Sequence, residues 1–216
     1  MIPKIIHLCW FGGSKFPESV EICIASMKKH NPDYQIMIWN EENYDVNKCR
    51  FTSEAYREKK FAFVSDVCRL EVLQQYGGVY LDTDVEILKS FDPLLDNDFF
   101  LGRESLTLLC TAVIGCVPNH PLTAELLTYY SSKSFYRYPL LKSFYKKINK
   151  TPNTVIISKM LSNNGLLKDN SCQRIDKYNL VIYPTYYFSP IDYKTKVFNK
   201  SEDTYCIHHF TTTWKK

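Results

Sequence analysis

The sequence predicts a single α/β domain, and three observations indicate this class. The opening forty residues alternate strand, helix and strand. Later segments mix short apolar strands with stretches of helical periodicity, with no internal repeat or linker. The 216 residues are 45% hydrophobic and 23% charged, ordinary values for a globular chain of this length. We therefore treat residues 1–216 as one domain.

The pattern of the first forty residues predicts a βαβ unit. Residues 4–10 form an apolar run that ends at Gly12 and Gly13, as a buried strand before a tight loop does. Residues 17–29 have helical spacing, and residues 34–39 form a second β-rich run. A βαβ unit implies parallel strands joined by a right-handed crossover.

Beyond residue 50, predicted strands and helices alternate less regularly. Residues 52–76 are helical in two pieces, and Gly77 and Gly78 end the second piece. Further strands are expected at 79–81, 85–88, 99–102, 108–114, 180–183 and 205–208, and further helices at 121–130 and 154–161.

Charge and cysteine content exclude several classes of protein. A net charge of +4 is too small to indicate a nucleic-acid partner, although it allows mild attraction to anionic lipid or a phosphorylated substrate. A solvated surface explains the excess lysines more simply; they are Lys142, Lys146, Lys147, Lys150, Lys215 and Lys216. The eight cysteines include no C-x-x-C pair, so we expect buried free thiols in a reducing compartment.

No leader peptide and no apolar run of 18 residues is evident in the sequence. The expected protein is soluble and cytoplasmic. Any membrane contact would be peripheral, at the inner face.

The strongest chemical signal is a pair of aspartates, Asp82 and Asp84, directly after the short strand 79–81. Oxygen ligands at i and i+2 at a strand end can converge on one hard divalent cation. Ligands of open α/β sheets also bind at the carboxyl ends of strands. By itself, an Asp-x-Asp pair is as readily a polar turn.

Three further features have both a functional and a structural interpretation. Asp66 and Arg69 lie one turn apart on a helix, where they could bind sugar hydroxyls or phosphate, or form an internal salt bridge. Trp10 could stack on a base or belong to the core. His208 and His209 follow a strand and could complete a metal shell or be structural.

Together, in this order, these segments resemble the DXD-containing sugar-nucleotide glycosyltransferases. The resemblance covers nearly the whole chain and is carried by IPKIIHLCWFGG, AFVSDVCRLEVLQQYGGVYLDTDVE and YCIHHFTTTW. The most similar branch is that of the bacterial capsular and exopolysaccharide enzymes, with yeast initiating mannosyltransferases and the clostridial glucosylating toxin domain further away. The resemblance implies a GT-A fold, a Rossmann-like mixed sheet flanked by helices.

The resemblance also implies roles for individual residues. On the donor, Trp10 would stack the nucleobase, Asp66 and Arg69 would contact ribose and sugar, and Tyr80 would lie beside the sugar. Asp82 would touch both ribose and the metal shell. Asp84 and His209 would bind Mn²⁺ or Mg²⁺, and the spacing to Trp214 favours His209 over His208. Thr212 would lie at the same shell, and Trp214 would close over the diphosphate.

Two segments depart from the family pattern. Thr111 stands where many relatives have Asn, and the Gly of a Thr-Gly-Pro segment is missing between Thr151 and Pro152. Both segments shape the sugar and acceptor pocket, so the sugar is left open.

The implied reaction is metal-dependent transfer of a hexose with retention, from a nucleoside-diphosphate sugar to a saccharide or lipid-linked saccharide. A UDP-sugar is the first expectation and GDP-mannose the second. Retention requires either a carboxylate nucleophile or front-side attack without one, and we favour the second. The catalytic candidates are Arg69, Asp82 and Glu104; Glu104 is the one candidate for the nucleophile, and it could equally be a surface-loop glutamate. A non-catalytic sugar-nucleotide-binding module is one rival; a metal nuclease or phosphatase is the other, but no third acidic ligand is evident.

Overall fold

The computed structural model describes residues 1–138 and 147–211. The strands are β1 (Ile5–Cys9), β2 (Gln35–Trp39), β3 (Gly78–Leu81), β4 (Val85–Ile87), β5 (Phe99–Arg103), β6 (Leu109–Cys116), β7 (Gln173–Ile175), β8 (Leu180–Tyr183) and β9 (Cys206–His208). The helices are α1 (Glu18–His30), α2 (Arg50–Arg57), α3 (Phe61–Tyr76), α4 (Pro121–Ser131), α5 (Asn153–Ser162) and α6 (Thr185–Phe188).

The main sheet has seven strands in the order β2-β1-β3-β6-β5-β8-β7. β1 is parallel to β2 and β3, β6 is antiparallel to both of its neighbours, and β5 is parallel to β8. The predicted mixed α/β sheet is confirmed. Because β1, β3 and β5 run in the same direction, their carboxyl ends meet at one edge of the sheet.

Within the described residues, β4 and β9 form a second, two-stranded sheet, in which they are antiparallel with Val85 opposite His208. This pairing brings the end of the described chain to the segment that follows Asp84. The sequence predicted both strands but not their partnership. It missed β7 and α6, because three and four residues are too few to show a periodicity.

Helices cover both faces of the main sheet. Alternate strand residues enter different cores, as Tyr80 and Leu101 pack with α3, α4 and α5, while Leu81 and Phe100 pack with α1 and α6. All eight cysteines are free, and seven are buried or half-buried, as predicted. Among the described residues, none of the helices combines the length and apolarity needed to cross a membrane.

Two consecutive glycines connect α3 to β3 without a loop. Both have positive φ, 63° at Gly77 and 102° at Gly78. A Cβ atom at Gly78 would lie 2.6 Å from the carbonyl oxygen of Ile5, and one at Gly77 would lie 2.7 Å from Pro118. Only glycine fits there, so the motif fixes α3 directly against the strand that carries the aspartates.

His7, on β1, stabilises the α3–β3 junction through a hydrogen bond. Its Nε2 lies 2.8 Å from the carbonyl oxygen of Gly77, and its Nδ1 accepts from the Trp39 indole at 3.1 Å. These bonds require a neutral ring with its proton on Nε2. Burial lowers the pKa of His7 to about 4, although the bond to Gly77 partly opposes this shift.

We expect the buried His7 to make the protein less stable in mild acid. The unfolded state, with a His pKa of about 6.5, binds a proton before the folded state does, so the stability that neutral His7 contributes is lost as pH falls from about 6.5 to 4. The expected loss is about 3 kcal/mol. Urea unfolding across this range measures it, and His7→Gln should flatten the dependence; equal slopes in both proteins would contradict the assignment.

Candidate functional site

Three predicted site residues lie at the carboxyl edge of the main sheet. Trp10 follows β1, Asp82 follows β3, and Glu104 follows β5. The backbone N–H of Asp82 donates to the Ala112 carbonyl oxygen on the adjacent strand β6, and that of Glu104 donates to Leu108 across the β5–β6 connection, so both backbone positions are fixed by hydrogen bonds. The sheet topology therefore brings together residues that are far apart in sequence.

Arg69 connects the α3 helix to the first aspartate of the motif. Its guanidinium lies 3.1 Å from Asp66 and 3.3 Å from Asp82, and it donates to the Thr111 carbonyl oxygen at 2.7 Å. It also lies over the Tyr80 ring, 4.4 Å from the centroid, while the Tyr80 hydroxyl donates to Asp82 at 2.8 Å. Arg69 and Tyr80 are buried, so they hold the carboxylates in place beneath the open edge.

The carboxyl group of Asp66 has a raised pKa. Burial raises its pKa to about 6, and the charge of Asp82 adds to the shift while Arg69 opposes it. Asn153, buried in the first turn of α5, also acts to lower this pKa. A carboxyl that titrates near neutrality in a polar corner is typical of functional sites.

Asp84 forms an ion pair with His208, whose Nε2 lies 3.3 Å from Oδ1. Burial alone would raise the pKa of Asp84, but His208 and the Thr211 donors outweigh it and lower the pKa to about 2. Burial likewise acts to lower the pKa of His208, but Asp84 raises it well above its ordinary value. Thr211 donates to Asp84 from its backbone at 2.9 Å and its hydroxyl at 3.1 Å.

His209, the histidine that spacing favoured, lies elsewhere. Its Nε2 is 2.9 Å from Glu86, and its backbone N–H donates to the Asp84 carbonyl oxygen. The register pairs Ile207 with Glu86, so His209, two residues on, shares the face of Glu86. His208 takes the other face, beside Asp84. The geometry therefore favours His208 as the third group of the aspartate cluster.

Asp82, Asp84 and His208 together fit a divalent cation. Each offers one ligand atom, and these atoms lie within 4.8 Å of one another. Two carboxylates and an imidazole are an ordinary donor set for Mn²⁺ and related ions. These three residues could hold the cation, while Thr211 fixes the Asp84 carboxylate through its two hydrogen bonds.

Of the remaining predicted site residues, the structure describes Trp10 and Glu104. Trp10 is half-buried, packs 5.1 Å from the Phe16 ring and donates from Nε1 to the Ser14 carbonyl oxygen, so it is not a core residue. Glu104 lies close enough to His208 and Asp82 for their charges to act on it, and burial raises its pKa. Thr212 and Trp214 lie outside the described residues.

Sequence reasoning missed Asn153 and Thr211 and set His208 aside. Asn153 follows the 150–152 segment that was noted for its departure from the family pattern, which is the signal that could have found it. Thr211 could have been found only by knowing that β9 pairs with β4, since 127 residues separate it from Asp84.

We expect Trp10→Ala to weaken binding of a sugar nucleotide by about 1–3 kcal/mol, the cost of removing one aromatic that stacks a base. Because Trp10 is half-buried, the melting temperature should change little. Calorimetric titration with the nucleoside diphosphate measures the affinity. Unchanged affinity combined with a large loss of melting temperature would make Trp10 a packing residue instead.

The fold is that of the GT-A glycosyltransferases. The PaToxG glycosyltransferase superposes with a TM-score of 0.51 at 22% identity, over 75% of this chain and 68% of its own. A glycosyltransferase involved in glycosylation of the major capsid of PBCV-1 gives a TM-score of 0.51 at 14% identity, over 97% and 95% of the two chains.

Residues 17–101 match the family described as the glycosyltransferase sugar-binding region containing the DXD motif. Inositol phosphoceramide mannosyltransferase 3 of Schizosaccharomyces pombe is 29% identical over 153 residues, covering 67% of this chain and 42% of the relative. Mannosyl phosphorylinositol ceramide synthase CSH1 of Saccharomyces cerevisiae is 29% identical, covering 59% and 35%. Residues 17–101 of this chain are therefore similar to the DXD-containing glycosyltransferases, and the chain spans less than half the length of these two fungal relatives.

Proposed function

We propose that this chain is a retaining, metal-dependent glycosyltransferase that moves a hexose from a nucleoside-diphosphate sugar to a saccharide or lipid-linked saccharide. The observation that carries the proposal is the convergence of Asp82, Asp84 and His208 at the carboxyl edge of the sheet. A divalent cation held there would stabilise the negative charge of the departing diphosphate.

The surrounding side chains would orient the donor. Arg69 neutralises Asp66 and Asp82 from the buried side, which leaves their outer oxygens to accept hydroxyl hydrogens of ribose or sugar. Tyr80 fixes the rotamer of Asp82 through its hydroxyl. Trp10, at the end of the neighbouring strand, would stack the base. Asn153, beside Asp66, would face the sugar.

For the chemical step we favour front-side attack, in which the departing phosphate oxygen accepts the proton of the attacking hydroxyl. In this route the acceptor oxygen bonds to the anomeric carbon on the face that the diphosphate leaves, so the configuration is retained. Glu104 then acts through its charge and hydrogen bonds only.

The Glu104→Gln variant tests this route. With front-side attack we expect transfer to fall by less than about tenfold, because an amide keeps the shape and the accepting oxygen. A covalent route requires the carboxylate, so the same variant would lose about 1,000-fold or more and could be rescued by azide. Single-turnover rates distinguish the two, with affinity for the donor as the control for folding.

The donor base and sugar are the open part of the proposal. A uridine diphosphate sugar is the first candidate. The names of the two fungal relatives, both mannosyl-transferring enzymes, support GDP-mannose as the second. Their acceptors are phosphoinositol ceramides by name, which supports a lipid-linked acceptor here; a role in capsule or exopolysaccharide synthesis stays a prediction.

A screen of sugar nucleotides with Mn²⁺ or Mg²⁺, read out as released nucleoside diphosphate, tests the proposed activity. Release that requires both the metal and one class of donor is expected. Binding of a donor without release under any acceptor would indicate a non-catalytic binding module. Hydrolysis of phosphodiesters without a sugar requirement would indicate a nuclease or phosphatase.

A further inference from the structure

Residues 190–199, between α6 and β9 in the chain, form a small hairpin. Ile191 and Phe198 pair as an antiparallel bridge, and the backbone N–H of Asn199 donates to the Pro190 carbonyl oxygen at 2.8 Å. The Asp192 carboxylate accepts from the backbone N–H groups of Lys194 and Thr195 at 2.9 and 2.7 Å. The turn is thus organised by its own hydrogen bonds.

The apolar side chains of this hairpin face water. Tyr193, Val197 and Phe198 are 46%, 53% and 51% exposed, although each is large enough to favour burial. Single exposed hydrophobic residues are common, but three within six positions form a patch that usually marks a contact surface. Every residue from 193 to 200 is exposed.

Lysines surround this patch. Lys194, Lys196 and Lys200 are exposed, while the acid within the hairpin, Asp192, is engaged in the turn; the exposed acids Glu202 and Asp203 follow the hairpin in the segment that leads to β9. Tyrosine and phenylalanine beside lysine are typical of protein segments that enter the headgroup region of a bilayer, where rings bury their apolar body and lysines meet anionic lipid. Charge complementarity therefore points to an anionic membrane surface rather than to an uncharged partner.

The hairpin is connected to the aspartate cluster through Phe210. The Tyr193 ring lies 5.3 Å from the Phe210 ring, and Phe210 lies 3.9 Å from the His208 ring, between centroids. The Lys196 ammonium lies 4.8 Å from the Tyr193 centroid. One aromatic residue thus separates the exposed hairpin from the histidine that pairs with Asp84.

We propose that the 190–199 hairpin docks the protein on an anionic lipid bilayer, with Tyr193, Val197 and Phe198 entering the headgroup region and the three lysines binding acidic headgroups. Docking through this hairpin would hold the candidate site close to the membrane surface, because only Phe210 lies between Tyr193 and His208. The inference concerns binding to lipid alone and stands apart from the proposed transfer activity.

Cosedimentation with vesicles, in the absence of donor and metal, tests the docking. The 216-residue chain should bind vesicles of phosphatidylcholine with phosphatidylserine and should bind pure phosphatidylcholine much more weakly. The V197S/F198S double variant should bind about tenfold more weakly. Replacing Lys194, Lys196 and Lys200 by glutamine should weaken binding by about 100-fold at low salt.

Matched substitutions away from the hairpin serve as controls. I22S/L167S removes side chains that are 56% and 51% exposed, and K15Q/K28Q/K29Q removes three exposed lysines. Both control proteins should bind the mixed vesicles like the unaltered chain, with melting temperatures equal to those of the hairpin variants.

The docking proposal is overturned if hairpin and control variants bind alike, or if neutral and anionic vesicles are bound equally. It is also overturned if the chain ignores vesicles and instead forms a dimer that V197S/F198S abolishes, because a second copy would then cover the patch.

Discussion

Replacing Asp84 by asparagine is expected to reduce sugar transfer by about 1,000-fold and to remove the metal dependence of donor binding. The carboxylate lies at the centre of the cluster, paired with His208 and accepting two hydrogen bonds from Thr211. An amide keeps the shape but supplies neither the negative charge nor a strong ligand oxygen for a hard cation. Loss of the charge that holds a catalytic cation removes several kcal/mol of stabilisation from the departing diphosphate.

The measurement is nucleoside-diphosphate release at saturating donor and Mn²⁺, together with donor titration with and without the metal. Asp176→Asn is the matched control, because the Asp176 side chain is 96% exposed and lies on a turn away from the cluster. Full activity of Asp84→Asn with Mn²⁺ present would refute both the metal site and the proposed chemistry.

Folding must be monitored separately, since Asp84 also stabilises the protein. Its pKa of about 2 lies below the usual value, so its charged form contributes stability above the ordinary carboxyl pKa, and this stability is lost as pH falls towards 2. The asparagine variant should therefore melt somewhat lower near neutral pH. Activity is then compared at a temperature where both proteins are fully folded.

Much of the fold follows from local sequence. The run that becomes β1, the apolar helix α3 and the Gly77-Gly78 stop each carry their own signal of periodicity or backbone geometry. The α3–β3 junction was predictable because Asp66, Arg69 and the two aspartates are close in the chain and on adjoining elements. The βαβ unit predicted that β1 and β2 are parallel, but the edge that brings Trp10, Asp82 and Glu104 together also depends on the directions of β3 and β5, which that unit does not fix.

The part that could not be predicted depends on strand register. Adjacent histidines occupy opposite faces of any strand, so their roles depend on which residue of the partner strand lies opposite. The partner strand is β4, which lies more than a hundred residues earlier in the chain. The sequence around His208 contains no signal that predicts this pairing. The spacing to Trp214 favoured His209, whereas the pairing of β9 with β4, together with the turn at residues 83–84 that precedes β4, brings the His208 ring to the Asp84 carboxylate.

Substitution of His208 and of His209 therefore distinguishes the ligand that the structure favours from the ligand that the sequence spacing favours. His208→Ala should weaken Mn²⁺ binding and donor turnover by about 100-fold, since it removes an imidazole from the cluster and leaves the buried Asp84 without its ion-pair partner. His209→Ala should change both by less than about threefold, because it loses only a half-exposed contact with Glu86.

The two single variants are controls for each other, since they make the same substitution at neighbouring positions. Free Mn²⁺ measured by electron paramagnetic resonance reports metal binding independently of turnover, and thermal melting separates a loss of ligand from a loss of fold. If the His209 variant loses metal while the His208 variant retains it, the sequence spacing identified the ligand correctly and the β4–β9 pairing must rearrange when the cation binds.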